Sequence, residues 1–208
     1  IYVKMESWSI ASASARLSLR PLEEPSPKFG VKSWKWRSAT DRPRRDIAMP
    51  ATPLPQPVAL RIELQDVAPL VWRRVVVSNQ WTLASLHRYL QWVMGWTDTH
   101  VHEFQVGEGM VAPDWWIKEV GKDSDAGEYR DERRVSVAAV ATLLGMRGEF
   151  EYRYDMGDDW RHRIVIESLP ASVIDDAPLP ICLAGENACP PEDVGGPHGY
   201  ASFLKTIG

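Results

Sequence analysis

Residues 152–162 read Tyr-Arg-Tyr-Asp-Met-Gly-Asp-Asp-Trp-Arg-His, and they separate two runs of alternating apolar and polar residues, 150–155 and 162–167. Alternation with a period of two is typical of half-buried strands. Aspartate and glycine suit a tight turn, because Asp accepts hydrogen bonds from nearby backbone N–H groups and Gly adopts positive φ angles without steric cost. The pattern therefore predicts an antiparallel hairpin whose turn is this stretch.

A second hairpin and a helix are predicted upstream of this turn. Residues 58–64 alternate between apolar and polar side chains, and residues 71–77 are rich in β-branched side chains, which indicates two paired strands. Thr82 then caps a helix that ends at Gly95. Residues 100–106 return as a third strand, an order that resembles the start of a β-grasp fold.

The remaining segments give shorter signals. Residues 115–117 predict a short strand, Ser136 precedes a short apolar helix at 137–144, and the chain after residue 169 is rich in proline and glycine. We therefore expect an α+β fold, in which a mainly antiparallel twisted sheet built from two hairpins packs on one main helix, residues 82–94. An irregular C-terminal loop region follows it.

Residues 1–57 differ from the rest of the chain. No stretch keeps a helical or strand period, eight prolines fall between positions 21 and 57, and residues 41–46 form a basic tract. We expect a disordered Pro-rich leader, or sequence upstream of a wrongly assigned start with the natural start at Met49, before one domain over residues 58–208. The alternative is a basic arm that contacts nucleic acid.

Charge and cysteine content restrict the function classes. Residues 1–50 carry 10 Lys/Arg against 5 Asp/Glu, whereas residues 51–208 carry 14 against 23, a net charge of −9. An acidic body disfavours a general phosphate-binding surface, since nucleic-acid affinity depends largely on clustered cations. No apolar run approaches the ~18 residues that span a bilayer, and two cysteines indicate a reducing cytoplasm.

Several motifs, in order along the chain, resemble those of the plasmid pRiA4b ORF-3-like family. Residues 152–162 are similar to its signature Tyr-Asp-Phe-Gly-Asp-x-Trp-x-His, with Met156 where an aromatic residue is usual. Residues 182–197, Cys-Leu-Ala-Gly-Glu-Asn-Ala-Cys-Pro-Pro-Glu-Asp-Val-Gly-Gly-Pro, are similar to a second signature. The weaker matches are Gly95-Trp96, 100–104 and 131–133, so the resemblance covers about residues 58–208.

This resemblance implies a compact α+β fold and an association with mobile elements. Members occur on plasmids and beside transposases, and some are labelled passenger or resolvase-like, but the family has no established catalytic activity. Members usually continue into an acidic, aromatic tail, so we expect this chain to be truncated. The function we expect is a cytoplasmic binding or accessory module with an unidentified protein or nucleic-acid partner and no membrane. The alternative is a metal-dependent hydrolase or nuclease.

A zinc or other divalent metal site is one candidate for chemistry. Imidazole and thiolate groups are typical zinc ligands, and carboxylates at Asp155, Asp158, Asp159, Glu192 and Asp193 would add oxygen ligands. The candidate metal ligands are His100, His102, His162, Cys182 and Cys189. The two cysteines are spaced more widely than in a zinc knuckle, so the alternative is that they are small buried apolar groups or a staple of the loop.

Metal-assisted hydrolysis at the turn is the second candidate. Asp158, Asp159 and His162 are the candidate catalytic residues, because carboxylates beside an imidazole can hold Mg²⁺ and activate water. The alternative is structural, since a hairpin turn favours Asp and Gly and these carboxylates have arginine neighbours in sequence.

A ligand-binding surface is the third candidate. Ten tryptophans are many for a chain of this size, and exposed aromatic rings beside arginines could stack on bases or on a protein partner. The candidate binding residues are Trp96, Tyr154, Trp160 and Arg161. The alternative is a tryptophan-rich core with solvated arginines.

Overall fold

Eight strands form one sheet in the residues that the computed structural model describes, 55–120, 129–169 and 178–208. The strands are β1 (Pro57–Leu64), β2 (Trp72–Ser78), β3 (His102–Val106), β4 (Gly109–Ala112), β5 (Tyr129–Asp131), β6 (Glu149–Tyr154), β7 (Trp160–Glu167) and β8 (Ile181–Glu186). Their order across the sheet is β5-β4-β3-β6-β7-β1-β2-β8. The β4–β5 pair is parallel and the other neighbouring pairs are antiparallel.

Four helices complete a mixed α/β fold within these ranges. They are α1 (Leu83–Met94), α2 (Asp114–Val120), α3 (Val137–Leu144) and α4 (Gly196–Ile207), and Glu132–Arg134 form a 3-10 turn. The predicted ends of α1 are confirmed, since the Thr82 side chain accepts a hydrogen bond from Ser85 N and Gly95 is left-handed at φ 81°. The predicted cap of α3 is confirmed too, because Ser136 accepts from Ala139 N.

The short strand predicted at residues 115–117 is wrong, because these residues lie in α2. Two tryptophans and an isoleucine match strand propensity, yet Pro113 and Asp114 stand where a helix begins. The Ile117 N–H donates to Pro113 O at 3.0 Å, and Lys118 pairs with Asp114 one turn earlier. Local helix-start chemistry therefore outweighs the aromatic pattern.

The sheet extends beyond the two predicted hairpins. Strands β1 and β2 pair, and β6 and β7 pair, but β1 also pairs with β7 while β6 also pairs with β3. The two-hairpin description and the β-grasp-like start are not confirmed, because the strand order links these pairs into one eight-stranded sheet. Pairing between strands that are distant in sequence leaves no local signal.

The core lies on the sheet face that α1 covers. Leu83, Leu86 and Leu90 of α1 are fully buried, as are Leu60 and Ile62 of β1. Each such side chain contributes about 1.5–3 kcal/mol relative to exposure. The spacing of the three helical leucines places them on one stripe, which is why the helix could be predicted from sequence.

The opposite face of the sheet carries paired charges. Arg61 contacts Glu63 at 2.6 Å, and Arg163 contacts Glu63 at 3.3 Å. Arg74 contacts Glu167 at 2.6 Å. The arginines on this face are therefore matched by carboxylates, which removes the cationic excess that a phosphate-binding surface needs.

Most of the predicted leader, residues 1–54, lies outside the described residues. Residues 55–57 are described, and Pro57 already belongs to β1 and pairs with Ser78 of β2. Among the described residues, no helix is long and apolar enough to cross a bilayer.

Candidate metal centre

The loop between α1 and β3, residues 95–101, is the place where both sequence motifs meet. Its backbone and side chains bond to residues of the first motif, 152–162, and of the second, 182–197. The bonds are Trp96 Nε1 to Pro190 O at 2.9 Å, Thr97 N to Glu192 Oε1 at 2.8 Å, Thr99 N to Tyr154 Oη at 3.1 Å, and Asp155 N to Val101 O at 2.9 Å. We call this meeting place the junction.

Asp155 is oriented by the turn of the first motif. It is left-handed at φ 56°, a conformation that Asp tolerates better than most residues. Its Oδ1 accepts hydrogen bonds from Gly157 N at 2.9 Å and Asp158 N at 3.2 Å. Its Oδ2 lies 3.6 Å from His100 Nε2, so the turn holds one oxygen and leaves the other facing the junction.

The second motif supplies two more carboxylates. Glu192 Oε1 accepts from Thr97 N at 2.8 Å and from Tyr154 Oη at 3.1 Å, which fixes that side chain. Its Oε2 lies 3.9 Å from His100 Nε2, and Asp193 Oδ1 lies 2.9 Å from the same nitrogen. Holding one carboxylate oxygen by protein donors while the other faces a shared point is typical of metal ligands.

His100 stands at the centre of these carboxylates. Its side chain is 29% exposed, but its Nε2 is shielded from solvent and, although it lies in ion-pair range of Asp193, makes no well-aligned hydrogen bond among the described residues. One ligand atom each from His100, Asp155 and Asp193 lie within 4.8 Å of one another. With metal–ligand bonds of ~2.1 Å, neighbouring ligand atoms are about 3.0–3.4 Å apart, and the separations of His100 Nε2 from Asp193 Oδ1 and Asp155 Oδ2, 2.9 and 3.6 Å, lie on either side of that range.

A second group, His87, Asp98 and His102, also has ligand atoms within 4.8 Å of one another. The two imidazole rings are stacked with centroids 3.4 Å apart and planes 5° from parallel. A metal ion bound equally by both rings would lie about 1.7 Å out of the plane of each ring, which is half of the separation between them. An imidazole nitrogen instead binds a metal that lies in the plane of its ring, at ~2.1 Å. The stacked pair therefore does not fit a shared metal.

A closed circuit of hydrogen bonds explains His87 instead. Asp98 N donates to Gln91 Oε1 at 2.9 Å, and Gln91 Nε2 donates to Tyr152 Oη at 3.0 Å. With Tyr152 Oη donating to His87 Nδ1 at 2.8 Å, the His87 Nε2 proton is free to bond Asp98 Oδ1 at 2.8 Å. Burial lowers the pKa of His87 to about 4, so this ring is neutral at pH 7. The hydrogen bonds of the circuit join the loop to α1.

The predicted catalytic residues Asp158, Asp159 and His162 are not brought together. Asp158 Oδ2 accepts from Gly195 N at 3.0 Å, and Asp159 pairs with Arg153 and with Arg161. His162 is fully buried, where its Nδ1 donates to Tyr152 O at 3.1 Å. Burial lowers the pKa of His162 to about 4.

The predicted metal ligands are also separated. His102 Nε2 bonds Glu132 Oε2 at 2.7 Å. Cys182 is exposed, and Cys189 Sγ contacts Arg73 Nη2 at 3.2 Å and Met94 Sδ at 3.3 Å. Burial raises the pKa of the Cys189 thiol to about 11, so it is protonated at neutral pH. Within the described ranges, the clusters with metal-ligand spacing include neither His162 nor a cysteine.

The predicted binding aromatics belong to the core. Trp96, Tyr154 and Trp160 are almost wholly buried, and the rings of Trp96 and Tyr154 stack with centroids 5.0 Å apart. Arg161 is 46% exposed and pairs with Asp159 at 3.0 Å. Three of these four side chains are therefore part of the core beneath the junction, and their rings are not exposed for stacking on a ligand.

The sequence reasoning missed His87 and Asp98. His87 lies four residues after Leu83 and three before Leu90, on the apolar stripe of α1, and that spacing predicts a buried histidine. Asp98 has no comparable signal, because its role depends on a contact with His87 across the loop.

Comparisons with known proteins agree with these motifs. The model of the plasmid pRiA4b ORF-3-like proteins matches residues 56–208. The chain is 39% identical over 153 residues to the uncharacterized protein y4hQ of Sinorhizobium fredii (strain NBRC 101917 / NGR234), covering 72% of each chain. It is also similar to the crystal structure of MM3350, a protein of unknown function from Methanosarcina mazei Go1. That likeness has a TM-score of 0.61 and 30% identity over 73% of this chain and 81% of that chain. The chain therefore belongs to the plasmid pRiA4b ORF-3-like family.

Proposed function

We propose that the protein is a binding module that holds one divalent metal ion at the junction, through His100, Asp155, Glu192 and Asp193. One observation carries this proposal: the Nε2 of His100, which makes no well-aligned hydrogen bond, faces three carboxylate oxygens at 2.9, 3.6 and 3.9 Å. One imidazole with three carboxylates combines nitrogen and oxygen donors, a set that suits Mn²⁺, Fe²⁺ or Zn²⁺.

Electrostatics favour a cation at this place. Three carboxylates surround one imidazole, so even a protonated His100 balances only one of the three negative charges. Two like charges ~4 Å apart repel by about 1 kcal/mol in water and about 4 kcal/mol near a protein surface. A divalent ion converts these repulsions into attractions, and the ion then joins residues from three separate segments.

Metal-dependent hydrolysis is the second candidate function, and the exposure of one ligand favours it. The Asp193 side chain is 74% exposed, so the site opens to solvent on that side. Catalytic metal sites keep a position for water, whose pKa the metal lowers. In this candidate His100, Asp155 and Glu192 hold the ion, and the open side admits the substrate.

The setting that we propose is the cytoplasm, in association with a mobile element. The two cysteines are free thiols, which supports a reducing compartment. The family description names a plasmid, which supports the mobile-element association. Fractionation of the source cell would test the cytoplasmic setting by showing which fraction contains the protein. The genes that neighbour its own gene would test the association with a mobile element.

Metal content and affinity test the proposed site directly. We expect the purified chain to bind about one equivalent of Mn²⁺ or Zn²⁺ by elemental analysis and calorimetry, and His100→Gln to weaken binding at least about 10-fold. Asp114→Asn is the matched control, because Asp114 is a surface carboxylate in α2 that pairs with Lys118 and belongs to neither motif.

Two results would contradict the proposal: a wild-type chain that binds no divalent ion, or a His100→Gln chain that binds as tightly as wild type. For the second candidate, the metal-loaded chain is assayed with a carboxylic ester and a phosphodiester. Hydrolysis of either substrate that is abolished by His100→Gln supports the hydrolase. If neither substrate is hydrolysed, the hydrolase is rejected and the metal-binding module remains as the proposed function.

A further inference from the structure

We propose that the metal ion at the junction latches the C-terminal segment, residues 187–208, onto the rest of the protein. In this mechanism metal occupancy and docking of α4 are coupled. The inference rests on the proposed metal site and assigns that site a role: the ion controls the position of a helix.

The ligands divide between two parts of the chain. His100 and Asp155 are anchored on β3, β6 and the turn between β6 and β7, because Asp155 N bonds Val101 O at 2.9 Å and Asp155 Oδ1 is held by the turn. Glu192 and Asp193 belong to the segment that connects β8 to α4. An ion bound by both pairs therefore requires this segment to be docked.

Helix α4 packs on the core through one side of its length. Gly196 and Tyr200 are its buried residues, Phe203 and Leu204 are partly buried, and its N-terminus has no side-chain cap. Isolated helices of this length are marginal in water, so most helical stability comes from tertiary contacts. The helix consequently depends on how firmly the preceding residues are held.

Polar contacts hold that segment, and several of them lie beside the ion site. Gly195 N donates to Asp158 Oδ2 at 3.0 Å, and Trp96 Nε1 donates to Pro190 O at 2.9 Å. Glu192 accepts from Thr97 N at 2.8 Å. Without a cation, the carboxylates of Glu192 and Asp193 are repelled by the carboxylate of Asp155. When a cation is bound, all three carboxylates are attracted to the cation. The C-terminal segment is therefore docked weakly without the metal and strongly with it.

Gly196 offers a way to disturb docking without touching a ligand. It is left-handed at φ +66°, and a Cβ at this position would lie 2.5 Å from Asp158 O. That separation is far below van der Waals contact, so Gly196→Ala prevents the close approach of α4 to the first motif. Because coupling between two equilibria is reciprocal, this variant must also weaken metal binding.

Hydrogen exchange of peptides from α4, measured by mass spectrometry on the full chain with and without Mn²⁺, tests the latch. We expect Mn²⁺ to slow exchange in α4 by about 10-fold or more, and Gly196→Ala to lower Mn²⁺ affinity by about 10-fold. Gly107→Ala is the matched control, since Gly107 is also left-handed, at φ +59°, but nothing lies within 4 Å of its added Cβ.

The outcomes separate the latch from the metal site. If wild type binds no Mn²⁺, the proposed function itself fails. If it binds Mn²⁺ but exchange in α4 does not change, the latch is wrong while the metal site stands. Equal affinities in Gly196→Ala and Gly107→Ala would also overturn the latch.

Discussion

Three aspartates at the junction share an uncommon, left-handed backbone conformation, and each also contacts a histidine. Asp98, Asp155 and Asp193 are left-handed, with φ of 58°, 56° and 56°. Asp and Asn are the side-chain-bearing residues that adopt this conformation most readily, because a short polar side chain can bond its own backbone. Each of these aspartates directs a carboxylate oxygen at a histidine, His87 or His100.

Protonation of His162 gives a prediction at the same scale. Burial lowers its pKa to about 4 from 6.5, so the folded protein keeps His162 neutral while the unfolded chain binds a proton below pH 6.5. This contribution to stability is complete above pH 6.5 and is lost as the pH falls toward 4. For one such group we expect the free energy of unfolding to fall by about 2 kcal/mol between pH 7.5 and 5.

Urea unfolding at several pH values measures this effect. His162→Gln removes the titrating group, so its unfolding free energy is expected to change less over the same pH range. His87 titrates in the same direction and remains in both proteins, which leaves a residual slope. An unchanged pH dependence in His162→Gln would show that His162 is not buried as a neutral ring.

At the scale of elements, α1 and β6 are joined by the polar circuit as well as by apolar packing. His87 and Gln91 lie one turn apart on α1, and both bond the hydroxyl of Tyr152 on β6. A helix that presents polar groups to a core must satisfy them there, because an unpaired buried polar group costs about 1–3 kcal/mol. The circuit thus fixes how α1 sits on the sheet.

Replacing that hydroxyl tests the circuit. Tyr152→Phe leaves His87 Nδ1 and Gln91 Nε2 without this partner, so we expect it to destabilise the protein by about 1–3 kcal/mol in urea unfolding. Tyr89→Phe is the matched control, because the buried Tyr89 hydroxyl has no hydrogen-bond partner among the described residues. Its loss should be neutral or stabilising. Equal destabilisation by the two substitutions would argue against the circuit.

At the scale of the whole molecule, charge is distributed unevenly. Residues 1–50 have 10 Lys/Arg against 5 Asp/Glu, and residues 51–208 have 14 against 23. On the outer face of the sheet, Arg61, Arg74 and Arg163 are each paired with a carboxylate. Affinity for nucleic acid should therefore depend on the first fifty residues and not on the sheet.

Binding of duplex DNA at low ionic strength checks this expectation. We expect weak binding by the full chain, and substitution of Arg42, Arg44 and Arg45 by Gln should reduce the slope of log Kobs against log salt by about 2–3. The double variant Arg74→Gln/Arg163→Gln should leave binding unchanged. A larger loss in the double variant than in the triple variant would make the sheet face the binding surface.

Much of the local structure could be predicted from the sequence. Thr82, Gly95 and Ser136 mark helix ends, and alternating runs mark β1, β6 and β7, because caps and hydrophobic period depend on neighbouring residues alone. The strand prediction at residues 115–117 is wrong, since their aromatic content favours a strand while the residues before them start a helix.

The amino-acid sequence alone identifies the family, the main elements and the carboxylates and histidines from which a site can be built. The folded structure is needed to see that His100, and not His102 or His162, meets Asp155 and the second motif. The physical reason is distance along the chain: residues 100, 155 and 193 are joined only by long-range strand pairing, β3 with β6, and by hydrogen bonds between loops. Side-chain direction at such a meeting point depends on those partners and leaves no local periodicity to read.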